Sequence, residues 1–364
     1  MKKIIAIFLS FFIFTSFMYA QEIIENPAKP VSKNASRVLK LQEVFRINDE
    51  SGDFYFKMIE NYGKLKVAPD GTFLISDVNQ LLKFSPQGKF VKNLLKIGQG
   101  PGEASSSRYP HDISLTQDNI YLFDKYSRKI IHTDMDGIFI EEIKSGIEKS
   151  GPLYSFYGLS GDDFIFIHQE NVRFNMKRAE FYDLEMSIFL VTRDKTEMNK
   201  ILSFPMKTFG APGFGMAWAP FEAVIESDSQ QLYIYHTCEY RIVQVDLEEG
   251  RTIKSFNRRY PRVKHVMNEW EKESIKKYNA PKRKYENDIK RLFLNKGLLW
   301  IETSTKDAEK GHLIDVFYRE GKYIDCFYLP ISGSLKVVQD DSIFVVEKDE
   351  DKNLQIVKYE IIEK

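Results

Sequence analysis

Apolar segments of about four to eight residues recur along this chain, and residues typical of turns separate them. The stretch Leu65–Glu103 shows the pattern most clearly, because Pro69–Gly71, Asp77–Asn79 and Pro86–Gly88 divide it into four segments. Proline fixes φ and glycine accepts positive φ, so such residues favour tight turns between strands. We name the four strands A to D. Four antiparallel strands form one blade of a β-propeller.

Further copies of this unit begin near five positions, His111, Tyr154, Phe221, Asp288 and Ser334. The last copy has only three strands, and the lone apolar segment Val38–Ile47 can supply the fourth. Closing the ring in this way removes unpaired strand edges. The sequence therefore predicts an all-β fold, a six-bladed β-propeller closed by an N-terminal strand. A five- or seven-bladed ring is the alternative, because the third and fifth copies are irregular.

The N-terminus has the pattern of a secretion signal. Lys2 and Lys3 precede an apolar run from Ile4 to Met18, and Ala20 offers a small residue for cleavage. An uncleaved anchor is the alternative, but the run is short for a membrane span. We predict a signal peptide at 1–20, a flexible lead-in at 21–37 and a single propeller domain at 38–364. The mature protein is then exported, periplasmic or extracellular, with no membrane span.

Composition excludes some classes of partner. The 52 basic and 52 acidic residues balance, so no overall field favours nucleic acid or a membrane surface. Cys238 and Cys326 have no neighbouring Cys or His at the spacing of a zinc site, and they lie in different repeats. Two buried thiols are the favoured interpretation, and a disulfide after export is the alternative.

Three B–C segments, at 76–88, 123–137 and 235–250, resemble the NHL repeat, in which a polar loop precedes an apolar strand and a glycine turn. Together with GQGPGE at 98–103 and the secretion signal, the chain is similar to the exported six-bladed propellers of Bacteroidetes, grouped as NHL-like or TolB-like. This resemblance covers most of the mature chain and carries no catalytic motif. It implies a binding scaffold, and a non-catalytic role is favoured over an enzyme.

The predicted insertions all fall in D–A or B–C connections, at residues 98–110, 170–186, 207–220 and 258–287. These connections share one face of a propeller, which we call the loop face; the short A–B and C–D turns form the opposite turn face. The last insertion predicts a helix before blade 5, with Asn268 and Glu271 as a capping box. Basic residues outnumber acidic ones there by 12 to 5 between Arg258 and Arg291. Binding residues concentrate in such loops.

We therefore expect a ligand site on the loop face and at the mouth of the central channel. Its candidate residues are Tyr109, His111, Asp112, Phe214, Trp218, Glu222, Arg283, Lys284, Asp288 and Arg291. The predicted function is recognition of a glycan, a peptide or an envelope protein. The alternative is a metal-assisted hydrolase or lyase at the channel mouth, with His111 as a base and carboxylates holding Ca²⁺. No other cofactor is predicted.

Overall fold

The structure is a computed structural model that describes residues 22–48, 52–144, 154–160, 163–169, 178–192, 198–212, 214–218, 221–226 and 230–363. The predicted signal peptide at 1–20 lies outside these residues. Three strands precede the first repeat: β1 (Glu22–Asn26), β2 (Arg37–Val38) and β3 (Lys40–Ile47).

The repeats then form six blades, each running from an inner to an outer strand. Blade 1 contains β4 (Lys64–Val67), β5 (Phe73–Asp77), β6 (Gln80–Phe84) and β7 (Phe90–Asn93). Blade 2 contains β8 (Asp112–Leu115), β9 (Asn119–Asp124), β10 (Lys129–Asp134) and β11 (Phe139–Lys144). Blade 3 contains β12 (Tyr154–Ser160), β13 (Asp163–Gln169), β14 (Glu180–Val191), β15 (Met198–Ala211) and β16 (Phe214–Ala217).

The second half of the ring is built in the same way. Blade 4 contains β17 (Phe221–Glu226), β18 (Gln231–His236), β19 (Arg241–Asp246) and β20 (Arg251–Arg258). The helix α1 (Glu269–Tyr278) follows it. Blade 5 contains β21 (Ile289–Asn295), β22 (Leu298–Asp307), β23 (Gly311–Tyr318) and β24 (Tyr323–Leu329). Blade 6 contains β25 (Ser334–Gln339), β26 (Ser342–Lys348) and β27 (Leu354–Glu363).

The N-terminal strand closes the ring, as predicted. β3 pairs antiparallel with β27 as the outermost strand of blade 6, with Ile47 opposite Ile356 and Leu41 opposite Ile361. The innermost strands β4, β8, β12, β17, β21 and β25 contact one another in sequence, and β25 contacts β4. The prediction of six blades closed by this strand is therefore confirmed.

The hydrophobic core is divided among the spaces between neighbouring blades. The described residues form six such clusters, one between each adjacent pair of blades around the ring. Between blades 6 and 1, for example, Phe344 lies 5.2 Å from Phe73, which stacks on Phe84 at 5.2 Å. Strands in the interior of the blades are buried on both faces, as β5, β9 and β18 show, and large aromatic residues fill much of this space.

The lead-in predicted as flexible at 21–37 is instead held by two blades. β1 pairs in parallel with β20 of blade 4, and β2 pairs in parallel with β24 of blade 5. Asn26 is buried and donates from Nδ2 to Gly321 O at 2.8 Å, while Tyr323 N donates to Asn26 Oδ1 at 2.9 Å. The outer edges of blades 4 and 5 supply these backbone partners, and sequence patterns do not reveal such distant pairing.

Blade 3 also differs from the prediction. Glu180–Ala211 includes a long hairpin in which Phe181 pairs with Phe209 beyond the end of β13, so the insertion expected at 170–186 is partly strand. The glycine-rich connection expected at 207–220 forms a second hairpin, with Gly210 opposite Gly215. Cross-strand packing of aromatic residues stabilises these strands despite their glycines. Residues 170–177 lie outside the described part of the chain.

Helix α1 matches its predicted start. Asn268 accepts a hydrogen bond from Glu271 N at 2.9 Å, and Glu271 Oε2 accepts one from Asn268 N at 2.9 Å, which completes the capping box. The helix ends at Tyr278, and Asn279 caps it with a left-handed φ of 53°. The helical insertion before blade 5 is therefore confirmed. Among the described residues, no helix is both long enough and apolar enough to cross a membrane.

Candidate functional site

Buried aspartates at the ends of two B strands anchor the connections of the loop face. Asp77 accepts hydrogen bonds from Lys57 N at 2.6 Å and Met58 N at 2.9 Å. Asp124 accepts one from Ser105 N at 2.8 Å in the connection between blades 1 and 2. Each carboxylate thus ties its own B–C loop to a preceding D–A connection. The loops that carry candidate residues are fixed to the ring.

The helix and the blade 3 hairpin form a clasp on the loop face. Phe214 of β16 stacks on Tyr278 of α1 with ring centroids 4.6 Å apart, and Trp270 lies 5.9 Å from Phe214. Phe209 and Ala280 are buried beneath this contact. The predicted residue Phe214 therefore packs against the helical insertion, and its ring is only partly exposed.

Trp218 and Arg283 are brought into direct contact. The Arg283 guanidinium lies 5.0 Å from the centre of the Trp218 ring, and its Nη2 donates to Trp218 O at 2.9 Å. Nη1 donates to Asn287 Oδ1 at 2.7 Å. Phe181 meets the Trp218 ring edge-on at 5.2 Å. Arg283 therefore joins two insertions, and its removal is expected to disturb the clasp itself.

Tyr109 and His111 have different environments although they lie close in sequence. Tyr109 is 50% exposed and packs edge-on against Tyr62, with centroids 5.4 Å apart. His111 is only 1% exposed, and one ring nitrogen lies 3.1 Å from Ser105 O. Burial lowers the pKa of His111 below its usual value. Tyr109 faces solvent on the loop face, whereas His111 supports the loop from beneath.

The three candidate carboxylates are each engaged by a different partner. Asp112 is buried and lies 3.1 Å from Lys125 Nζ. Glu222 accepts a hydrogen bond from the Tyr235 hydroxyl at 2.7 Å.

Asp288 is buried and accepts one from Arg262 Nε at 2.9 Å. Burial raises the pKa of Asp288. Within the described ranges, no group of three or more His, Cys, Asp or Glu side chains is arranged to hold a metal ion. The calcium site of the hydrolase alternative therefore has no ligand cluster among these residues.

The two remaining candidates lie at opposite ends of the site. Lys284 is exposed on the helical insertion, with Nζ 5.6 Å from the centre of the Tyr285 ring. Arg291 lies on the innermost strand of blade 5, where it donates to Leu335 O of blade 6 and faces Glu302 at 3.9 Å. Of these two residues, Arg291 is the one that contacts the innermost strand of a neighbouring blade.

The structure adds three lysines that the candidate set lacked. Lys64 and Lys66 lie on β4 and Lys336 lies on β25, both innermost strands. Leu65 lies between Lys64 and Lys66, and Leu335 directly precedes Lys336; both leucines are buried. The signal that could have found them is a cation at alternate positions in the A strands of adjacent blades.

A groove of about 660 Å³ opens on the loop face between blades 6 and 1. Lys57, Lys348 and Lys352 line it, together with Glu60 and Asp349. Glu60 also accepts a hydrogen bond from Lys336 Nζ through its backbone oxygen at 2.7 Å. The groove thus borders the channel mouth.

Comparison with known proteins agrees with this architecture. A family model described as a 6-bladed beta-propeller, DUF5128, matches residues 57–285. The chain belongs to the DUF5128 family. Among curated proteins, none matches this sequence significantly. Membership in DUF5128 confirms the six-bladed propeller, while the NHL-like or TolB-like grouping stays a prediction.

Solved structures share the fold of this DUF5128 chain at low sequence identity. One is described as a member of the DUF4221 family from Bacteroides vulgatus; it is 12% identical, with a TM-score of 0.55, and the match covers 90% of this chain and 100% of that one. Another is described as an exported protein from Bacteroides fragilis; it is 13% identical, with a TM-score of 0.52, and coverage is 93% and 99%. Both likenesses show the fold alone.

A gluconolactonase from Xanthomonas campestris is a more distant neighbour. Its TM-score is 0.46 at 14% identity, over 92% of this chain and 97% of that one. That degree of likeness carries no argument about the activity of this chain.

Proposed function

We propose that this DUF5128 protein is an exported, non-catalytic binding propeller that recognises a glycan, a peptide or another envelope protein on its loop face. One observation carries the proposal, namely the distribution of exposed aromatic side chains. Among the residues that the structure describes, eight aromatic side chains are exposed. Two lie away from the loop face, Phe139 and Tyr318. The other six lie on it, and we call them the aromatic rim: Tyr55, Tyr62, Tyr109, Tyr126, Phe181 and Trp270.

Exposed aromatic rings are in unfavourable contact with water, and binding can remove that contact. Each presents a large apolar surface to water, and stacking on a sugar ring or burial in a protein interface removes that surface. Tyrosine and tryptophan also dominate the binding energy of many interfaces. Trp270 is 55% exposed at the tip of the clasp, and Tyr62 with Tyr109 forms a paired patch across the ring. These two patches are the expected anchors.

The test begins with a glycan array and a displayed peptide library, each probed with the mature full-length protein. The ligand found is then titrated against the double variant Tyr62→Ser/Tyr109→Ser and against Trp270→Ser. We expect at least one of them to weaken binding about tenfold or more, the loss of a typical aromatic anchor. Melting temperatures should change little, because these side chains are exposed.

Two variants on or near the turn face serve as matched controls. Tyr318→Ser removes an exposed tyrosine from blade 5, and Asp118→Asn changes an exposed residue in an A–B turn. Both should bind as the wild type does. A ligand that responds to Tyr318 or Asp118 and ignores the aromatic rim overturns the choice of face. Lys284→Met tests the basic insertion separately, because Arg283 is part of the clasp.

A further inference from the structure

The innermost strands of blades 5, 6 and 1 bring cationic side chains to the central channel. The strands β21, β25 and β4 are consecutive neighbours in the ring. They carry Arg291, Lys336 and the pair Lys64 and Lys66, respectively. Leu292, Leu335 and Leu65 are buried in the cores between blades. Because side chains alternate along a strand, Arg291, Lys64 and Lys66 project to the side opposite these leucines. Lys336 lies at an irregularity in the pairing of β25 with β26, and its side chain reaches Glu60 of the connection before blade 1.

Lys336 lies close to the axis of the ring. Its Nζ donates to Glu60 O at 2.7 Å above the channel. Burial, together with the positive charges of Arg291 and Lys64, lowers the pKa of Lys336 to about 7, against the opposing effect of Glu60 and Glu222. These charges come from blades 5, 1 and 4 and from the connection before blade 1.

Lys66 occupies the same channel without a partner. Within the described part of the chain, it makes no hydrogen bond and no ion pair. Its side chain reaches channel solvent but is surrounded by protein. Loss of hydration lowers the pKa of Lys66, and the charge of Lys64 acts in the same direction. The charge of Asp112 opposes this shift, but no carboxylate pairs directly with the Lys66 ammonium group.

Nearby carboxylates do not neutralise these lysines. Asp112 lies 3.1 Å from Lys125 Nζ and accepts a hydrogen bond from Phe156 N at 3.0 Å; Lys64 is farther away, at 3.9 Å. Glu302 faces Arg291.

The other two carboxylates near these lysines also have partners of their own, because Glu60 pairs with Lys348 Nζ at 2.7 Å and Glu222 accepts the Tyr235 hydroxyl. Positive charge enclosed by protein attracts small anions and concentrates them.

We propose that the central channel binds a small, multiply charged oxyanion, such as a phosphate or sulfate group, between Lys66 and Lys336 with Lys64 beside them. The oxyanion is either a free ion or the terminal group of a larger ligand. Ammonium groups bind such oxygens through charge-assisted hydrogen bonds. This site does not depend on the aromatic rim, so either proposal can fail while the other stands.

The test is isothermal titration of the full mature chain at pH 7 with inorganic phosphate and with sulfate, at constant ionic strength set by chloride. We expect saturable binding with one site per chain. Lys66→Met and Lys336→Met should each weaken it about tenfold or more, because each removes a charge-assisted hydrogen bond. Circular dichroism and melting curves confirm that these variants are folded.

Lys284→Met is the matched control, because it removes the same charge from the loop face outside the channel. It should bind phosphate as the wild type does. Binding should also take up protons at pH 7, since an anion favours charged Lys336, and the uptake should be smaller in Lys336→Met. Titration in buffers of different ionisation enthalpy measures this uptake.

Two results would overturn the site. The first is no saturable binding of either ion at millimolar concentration, and the second is binding that Lys284→Met abolishes while Lys66→Met preserves it. A sugar phosphate provides the second arm of the test. If the sugar phosphate binds more tightly than inorganic phosphate and Lys66→Met weakens it equally, the natural ligand is a larger molecule with a terminal oxyanion group. Equal or weaker binding identifies the free ion.

Discussion

Arg258 and Asp315 form a buried ion pair between blades 4 and 5, with 2.6 Å between Nε and Oδ2. The guanidinium lies over the rings of Tyr240, Tyr260 and Tyr323, at 4.8 to 5.1 Å from their centres. The hydroxyls of Tyr240 and Tyr323 also donate to Asp315. Burial raises the pKa of the Asp315 carboxyl, so the arrangement stays ionised only while these donors are in place.

We expect Arg258→Met to lower the free energy of unfolding by about 3–5 kcal/mol, because it leaves a buried carboxylate without its cation. The double variant Arg258→Met/Asp315→Leu should be more stable than Arg258→Met alone. Urea denaturation measures both changes. The partly exposed pair of Arg37 and Asp325, 3.0 Å apart, is the control, and Arg37→Met should cost about 1 kcal/mol or less. If Arg258→Met and Arg37→Met lower the free energy of unfolding equally, burial does not determine the effect of losing an ion pair.

If β3 closes the ring, substitutions at its buried and exposed positions should affect stability very differently. Ile47 is 5% exposed in the core between blades 6 and 1, whereas Val44 is 45% exposed on the same strand. Ile47→Asp should lower the free energy of unfolding by about 3 kcal/mol or more, and Val44→Asp should have little effect. Thermal melting measures both. A truncated chain that starts at Asp49 and keeps the full-length melting temperature would show that β3 does not close the ring.

His236 predicts a loss of stability in acid. Burial, reinforced by Arg241, lowers the pKa of His236 to about 3, and Arg241 Nη2 lies 3.1 Å from its ring nitrogen. The unfolded chain binds a proton near the ordinary value of 6.5, so the stabilisation is present above that pH and is lost as pH falls towards 3. His236→Gln should reduce this loss by about 2–3 kcal/mol.

Urea denaturation at several pH values between 7 and 4 measures the slope for each protein. Arg241→Gln should also flatten it, because removal of the positive charge raises the pKa of His236. An unchanged slope in His236→Gln would assign the acid sensitivity to other groups.

Lys336 predicts that the stability of the protein changes above neutral pH. Its pKa is lowered to about 7 from 10.5, so in chloride buffer the unfolded chain binds more protons between these values and stability should rise with pH. Lys336→Met should be more stable than the wild type at pH 7, by a few kcal/mol at most, and the difference should vanish above pH 10.5. Melting curves between pH 7 and 11 test this. A variant less stable than the wild type at pH 7 would show that the contact with Glu60 outweighs the burial of charge.

Much of the fold could be read from local patterns. The turns Pro69–Gly71 and Pro86–Gly88 contain Gly71 and Gly88 at φ of 85° and 80°, as their residue types predict. The capping box of Asn268 and Glu271 involves residues three apart, and the three-stranded last repeat required a missing strand. These features depend on short sequence separations or on counting repeats. The number of blades and the closing strand followed from them.

The candidate site could be predicted only in part. Tyr109, Trp218 and Arg283 lie in connections between strands on the loop face, as insertions in a propeller must, and their role in binding stays a prediction. The burial of His111 and the separate partners of Asp112 and Asp288 were not predictable, since each depends on a residue that another segment supplies.

The sequence by itself determined the repeat, its turns, the closing strand and the helix, because each is set by alternation, turn residues or a cap within a few positions. Tertiary structure decided the pairing of β1 and β2 with blades 4 and 5 and the clasp between blade 3 and α1. It also decided that Lys66 and Lys336 lie on adjacent innermost strands of the ring. These features join residues from more than sixty to nearly three hundred positions apart, where pairing, burial and electrostatic energy depend on the closed ring as a whole.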